Sequence, residues 1–344
     1  MEKVDNYQPI SRNDNTVRIL RAFDNHLPAD GRANFIRHLQ SLQTNQDIHD
    51  HAESLVNGLL APMKTLRSTP TISPRAGMED SIENIASQSS GPLVRETRLK
   101  AECLKRDGNR CVVTKRVDFH FLSKSDTTTP GAITECAHII PFSLATWRDE
   151  RESHAKNIIW TNLIRHFPAL ETRISFSRDN INDTMNAMTM TRDLHFYFGH
   201  FYFAFEETQV PNKYRLQVYR PNAFSPPLPR TVKFVSRDPR YALPSPELLK
   251  VHAAVARIFH ASGAADHIDK GFRDLGETSV LAKDGSTDVS AMLAVTSLGV
   301  LGSRTGNIQQ TPATFSGPKA QSVSKVHSGL IEEEGTDEEY TVWY

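Results

Sequence analysis

The sequence predicts an α+β fold, and three observations carry that expectation. Apolar residues recur at helical spacing over 15–65 and again over 246–259. Between 92 and 262, short apolar or aromatic runs bounded by turn residues alternate with further helical stretches. Beyond 263 the pattern decays into Gly, Ser, Thr and acidic residues. The 344 residues then divide into a disordered start at 1–14, a helical segment at 15–65, a linker at 66–91, a folded α+β domain at 92–262 and a disordered acidic tail at 263–344.

The helical segment rests on Val17, Ile19, Leu20 and Phe23, then on Phe35, Ile36, Leu39 and Leu42, with Pro28-Ala29-Asp30-Gly31 between them. A third helix is expected from Gln46 to Ala61, ending at Pro62. These helices pack on the folded domain at 92–262 or form a dimerising arm, and the first reading is preferred. A homo-oligomer through them, or an adaptor that assembles by them, is the alternative. Ser, Thr, Pro and Gly over 67–91 leave few apolar groups to offset ordering entropy, which predicts the linker. Val94, Leu99 and Leu104 suggest a helix ending before Asp107-Gly108-Asn109, a turn signal.

Strands are expected at Arg110–Thr114 and Ile133–Ile140, the second closed by Pro141. A helix comes next over 153–170, then a turn and a short extended piece at 180–189, then a helix from Asp193 to Tyr202. Phe201–Phe205 and Tyr214–Tyr219 read as strands joined through Pro211-Asn212. Ser245 and Pro246 open a last helix as N-cap and first helical residue.

Formal net charge is zero, but it is unevenly placed. Residues 263–344 hold six basic and twelve acidic groups, leaving thirty-four basic and twenty-eight acidic in the rest. A mildly basic folded part is compatible with nucleic acid without arguing for it alone. Three cysteines, Cys103, Cys111 and Cys136, form no C-x-x-C pair, which excludes a four-cysteine zinc knuckle. The start lacks a secretory signal, and the most apolar late run, Ala291–Leu301, is too short to span a bilayer. The expectation is a soluble intracellular chain with no membrane partner; nuclear or cytoplasmic residence is left open.

Four local signals fall in one order: Cys111-x-x-Thr114, Ala137-His138-Ile139-x-Pro141, Asn182-Asp183-x-x-Asn186, and Leu194-His195-x-x-Phe198. In this order the chain resembles the HNH endonuclease family, in the form common among fungal proteins, over about residues 94–220. The resemblance implies a ββα-metal module with added strands and helices, acting on nucleic acid, DNA before RNA. It implies catalytic roles for His138, Asn186 and His195: His138 as general base, Asn186 pinning the loop, and His195 as a ligand to a divalent ion, Mg2+ or Mn2+, with Zn2+ an alternative.

The chemistry fits those residue types. An imidazole with an ordinary pKa of about 6.5 can take a proton from water near neutral pH. A divalent ion stabilises a leaving oxygen without an acid of matched pKa. Two positions depart from the family pattern. Ala137 stands where many members have a ligating Asp or His, and Gly199 where some place a second helix ligand. Glu135 and Asp193 are candidate substitutes.

The bland readings are a core role for each histidine taken singly, an ordinary turn role for Asn186, and a silent HNH fold that binds without cutting. The aromatics from Phe196 to Phe205 read as core rather than as a base-stacking platform. Cys111 and Cys136 read as small apolar residues. His51, His154, His166, His252 and His260 are scattered, and none reads as a ligand.

Overall fold

Three- and four-residue apolar spacing sets the N-terminal helices, and the residues flanking them set their ends. The computed structural model describes residues 1–12, 14–65, 92–145, 150–265 and 268. Its first helices are α1 (Glu2–Asp5), α2 (Thr16–His26), α3 (Ala29–Ser41), α4 (Asn45–Leu55) and α5 (Ala61–Thr65). α2 buries Ile19, Leu20 and Phe23, and α3 buries Phe35 and Leu39. Thr44 and Asp47 close a reciprocal capping box that starts α4.

The expected break at Pro62 is instead a continuation. A π turn at Val56–Leu60 links α4 to α5. Pro62 has no N–H to offer the Gly58 carbonyl four residues back, and Asn162 Nδ2 donates to that carbonyl at 3.3 Å.

Residues 1–14, expected to be unfolded, are ordered wherever they are described. α1 buries Val4, and Tyr7 is buried behind it. The Asp14 carboxylate gathers the Tyr7 hydroxyl at 2.6 Å and the amides of Ile10 at 2.8 Å and Thr16 at 2.9 Å. One acceptor thus fastens a polar stretch that has little apolar material of its own. The linker at 66–91 and nearly all of the tail from 263 lie outside the described residues.

The remainder begins with α6 (Pro92–Asp107), followed by β1 (Val117–Asp118), β2 (Gly131–Ala132), β3 (Thr134–His138), α7 (Glu150–His166) and α8 (Ala169–Thr172). Then come β4 (Ala187–Thr191), α9 (Arg192–Gly199), β5 (Phe203–Glu207), β6 (Lys213–Val218), β7 (Thr231–Lys233) and α10 (Pro246–Ser262). β1 pairs with β2 in parallel, β3 with β4 antiparallel, and β5-β6-β7 form an antiparallel sheet in chain order. Asn212 turns the β5–β6 connection at φ 58°.

The expected strand at 110–114 is a turn. Cys111, Val112 and Val113 are all buried rather than alternating. The Lys115 amide returns to the Cys111 carbonyl at 3.0 Å, and the Thr114 amide points at Cys111 Sγ, 3.4 Å away.

One apolar core runs from Val4 to Ile268 and joins the N-terminal helices to the strand-bearing part. α10 lies at its centre, packed on α2 and β5. It buries Leu248, Val251, Val255, Ile258 and Phe259, and a helix apolar on nearly every side belongs in a core. Gly31 falls inside α3, not between helices, at a point where the α7 terminus passes close by. A β-carbon there would sit 1.8 Å from the His166 carbonyl oxygen. Among the described residues no helix is long and apolar enough to cross a membrane.

Candidate active site

β3, β4 and α9 form a ββα unit with no loop before the helix. The antiparallel register pairs Thr134 with Thr191, Ala137 with Met188, and His138 with Ala187. Thr191 ends the strand in extended geometry, and Arg192 begins the helix. The Arg192 amide donates to the Ile133 carbonyl at 3.2 Å, fixing the helix start against the neighbouring strand.

Asn186 is fully buried at the end of a short 3-10 turn, Thr184–Asn186, that Asp183 caps by accepting the Met185 amide. Its Oδ1 accepts the Ile140 amide at 2.8 Å, and its Nδ2 donates to the carbonyls of Ile140 at 3.0 Å and Ile181 at 2.8 Å. The Asn186 carbonyl takes the Ile139 amide at 2.7 Å. Asn186 therefore holds both polar groups of the chain two residues past His138.

A second clamp supports the first. Arg106 is completely buried and donates to the carbonyls of Thr184, Ala187 and Ala242 at 2.7–2.9 Å. It also grips both oxygens of Asp107, whose Oδ2 accepts the Thr189 amide. Burial works against the Arg106 cation, but the Asp107 hydrogen bonds and charge outweigh it and raise its pKa.

His138 is half-buried, with Nε2 2.9 Å from Asn182 Oδ1 and its ring 5.8 Å from that of Phe142. An amide oxygen accepts, so this bond assigns the proton to Nε2 and the basic lone pair to Nδ1. Strand alternation puts Cys136 and His138 on one face of β3. Cys136 Sγ there meets Cys103 Sγ of α6 at 3.8 Å. The contact with Cys103, followed by burial, raises the Cys136 pKa well above the ordinary thiol range. Cys136 is thereby kept as a thiol, in keeping with its reading as a small apolar residue.

Glu135 and Ala137 occupy the other face, toward α9. His195 Nδ1 lies 2.8 Å from Glu135 Oε2, while Arg192 Nε donates to Glu135 Oε1 at 2.9 Å. Burial pushes the Glu135 carboxyl up, but the hydrogen bonds and charges of His195 and Arg192 prevail and leave its pKa below the ordinary value. Glu135 precedes His138 by three residues, about 10 Å of strand at 3.3 Å per residue. The site thus has two parts: His138 with Asn182 and the Asn186 loop, and His195 with Glu135 and Arg192.

Both Glu135 oxygens are engaged, one by His195 and one by Arg192. A carboxylate on one imidazole nitrogen is the arrangement that orients a metal-binding histidine through the other. Ala137 is fully buried among apolar neighbours. Among the described residues, no three His, Cys, Asp or Glu side chains are grouped to hold an ion. An ion held here would have His195 Nε2 as its protein donor and would draw its other ligands from water and substrate phosphate.

Residues 111–206 match the protein-family model for HNH endonuclease. That span holds an HNH endonuclease domain. It opens at the Cys111 turn, includes His138, Asn182, Asn186 and His195, and closes in β5. The domain ties the chain to nuclease-type, nucleic-acid-related function, in a family that generally uses a divalent metal. No curated protein and no solved structure matches the chain.

Sequence reasoning assigned no role to Asn182 or Arg106. Asn182 opens the Asn-Asp-x-x-Asn motif and could have been found there. Arg106, in a charged helix end, carried no signal.

Proposed function

We propose that the HNH domain is an endonuclease that hydrolyses phosphodiester bonds in DNA, with His138 as the general base. The observation that carries this reading is the double hold on His138: its Nε2 on Asn182, and the chain just beyond it on Asn186. Such a ring is oriented through one nitrogen and by the chain that carries it, as a water-activating base requires. Nδ1 takes a proton from water as the water oxygen bonds to phosphorus. The bond from phosphorus to the leaving oxygen then breaks.

His195 would hold a divalent cation, Mg2+ or Mn2+, with Zn2+ an alternative, through Nε2 while Glu135 orients its ring. The ion would stabilise negative charge on the leaving oxygen. Arg192 keeps Glu135 ionised and in place.

A second reading is an HNH fold that binds nucleic acid without cutting. The buried Ala137 and the lack of a three-donor cluster among the described residues favour it. Supercoiled plasmid incubated with pure full-length protein and Mg2+ or Mn2+ separates the two. Metal-dependent nicking that His138→Ala abolishes supports the enzyme. DNA retention without nicking supports the silent fold.

A further inference from the structure

Among the aromatics at Phe196–Phe205, Phe198, Phe201, Phe203 and Phe205 are buried, whereas Phe196 is 53% exposed. The core reading therefore holds for four phenylalanines and fails for the one beside His195. A lone exposed phenylalanine is ordinary. This one is part of a connected surface. Its ring stacks at 3.9 Å on His200, the residue just past the end of α9, and His200 Nδ1 is held 2.8 Å from the Phe196 carbonyl oxygen. His200 meets Tyr202 edge-on at 6.0 Å, Tyr202 stacks on Tyr197 at 5.7 Å, and the Arg220 guanidinium lies 5.3 Å over the Tyr202 ring. Arg192 and Phe196 are spaced four apart, so they share one line of the helix, and His200 continues it past the helix end by stacking on Phe196. Its first member touches the same Glu135 that holds His195.

The geometry points to a base-stacking platform: Phe196, backed by His200, receives an unpaired nucleobase beside the HNH site, and the substrate is nucleic acid that is single-stranded or locally unpaired. This rests on the nucleic-acid reading of the domain and specifies its substrate class. Aromatic faces take any base, because every base has a π face, and guanidinium groups along the strip suit the phosphates between. In an intact duplex the base faces are stacked on one another, so such rings would find only edges and backbone. An aromatic strip flanked by Arg192 and Arg220 is chemistry for splayed bases.

The test measures fluorescence anisotropy of full-length protein in a His138→Ala background, so that cleavage does not intrude, at one fixed salt concentration. The probes are labelled oligothymidylate, labelled oligouridylate and a labelled DNA duplex. Phe196→Ala is expected to weaken single-strand binding by about 5-fold or more, to leave duplex binding within about 2-fold, and to keep the melting temperature. Phe196→Trp should retain single-strand affinity. Loss on both oligomers supports unpaired bases of either sugar, and loss on one alone identifies which. Equal loss on single strand and duplex, or no loss at all, overturns the platform while leaving the nuclease reading standing. Failure of the parent protein to bind any of the three probes overturns both.

Discussion

Replacing Asn186 by alanine removes three hydrogen bonds inside a fully buried site, two to Ile140 and one to the Ile181 carbonyl. Each backbone group left unpaired away from water costs roughly 1–3 kcal/mol. Three would cost about 3–9 kcal/mol if nothing relaxed. Water entering the vacated space would recover part of this, which gives an expected loss of about 3–5 kcal/mol. That is a large fraction of the roughly 5–15 kcal/mol that holds a typical domain. The variant should unfold at clearly lower urea, with an unchanged denaturant slope, in full-length protein followed by tryptophan fluorescence. Under native conditions its nicking should fall more than its folded fraction does, because the chain after His138 has lost its tether. A loss under about 1 kcal/mol, with normal nicking, would refute the clamp and the role given to Asn186.

Three further perturbations come from the same geometry. Arg106→Met leaves the buried Asp107 carboxylate unpaired and should cost about 3–5 kcal/mol in urea denaturation; adding Asp107→Asn should recover part of it, and additive losses would count against the pair. His51 is buried between Phe35 and His38, and burial, followed by the His38, His166 and Arg165 charges, lowers its pKa to about 3. The folded state therefore keeps it neutral, so its contribution is fully present above about pH 6.5 and is lost as pH falls from there toward 3, by up to about 1.4 kcal/mol per pH unit. His51→Phe should flatten the fall in urea midpoint between about pH 6.5 and 5, and an unchanged profile would contradict the assignment. Glu135→Gln should weaken Mn2+ binding about 10–100-fold by calorimetry, whereas His138→Ala should leave it unaltered; the reverse pattern would move the metal to the other face of β3.

The ββα unit was legible because its signals are local. A strand histidine before Pro141, an Asn-rich turn and a helix starting at Arg192 each announce themselves within a few residues. The Asn186 contacts arise from the same motif. The hidden features depend on distant partners. Arg106 in Lys105-Arg106-Asp107 has the look of a solvated helix end, and only the carbonyls of Thr184, Ala187 and Ala242, from two other segments, explain its burial. Glu135 was visible as a strand carboxylate, but its role depends on His195 and Arg192 arriving from α9. Cys111–Thr114 has β-branched residues suited to a strand, yet all of its apolar side chains face inward and the backbone closes a turn. At the start of the chain, Asp14 orders polar residues through hydrogen bonds that hydropathy does not register.

Chemical rescue tests the central claim most directly. Full-length His138→Ala protein is incubated with supercoiled plasmid and Mg2+ or Mn2+, with and without added imidazole. The account predicts that the variant loses nicking and that imidazole restores part of it in proportion to its concentration, since the missing group is a base. Nicking that survives the substitution, or that is lost and stays lost at every imidazole concentration while the parent protein cuts, would contradict His138 as the group that activates water.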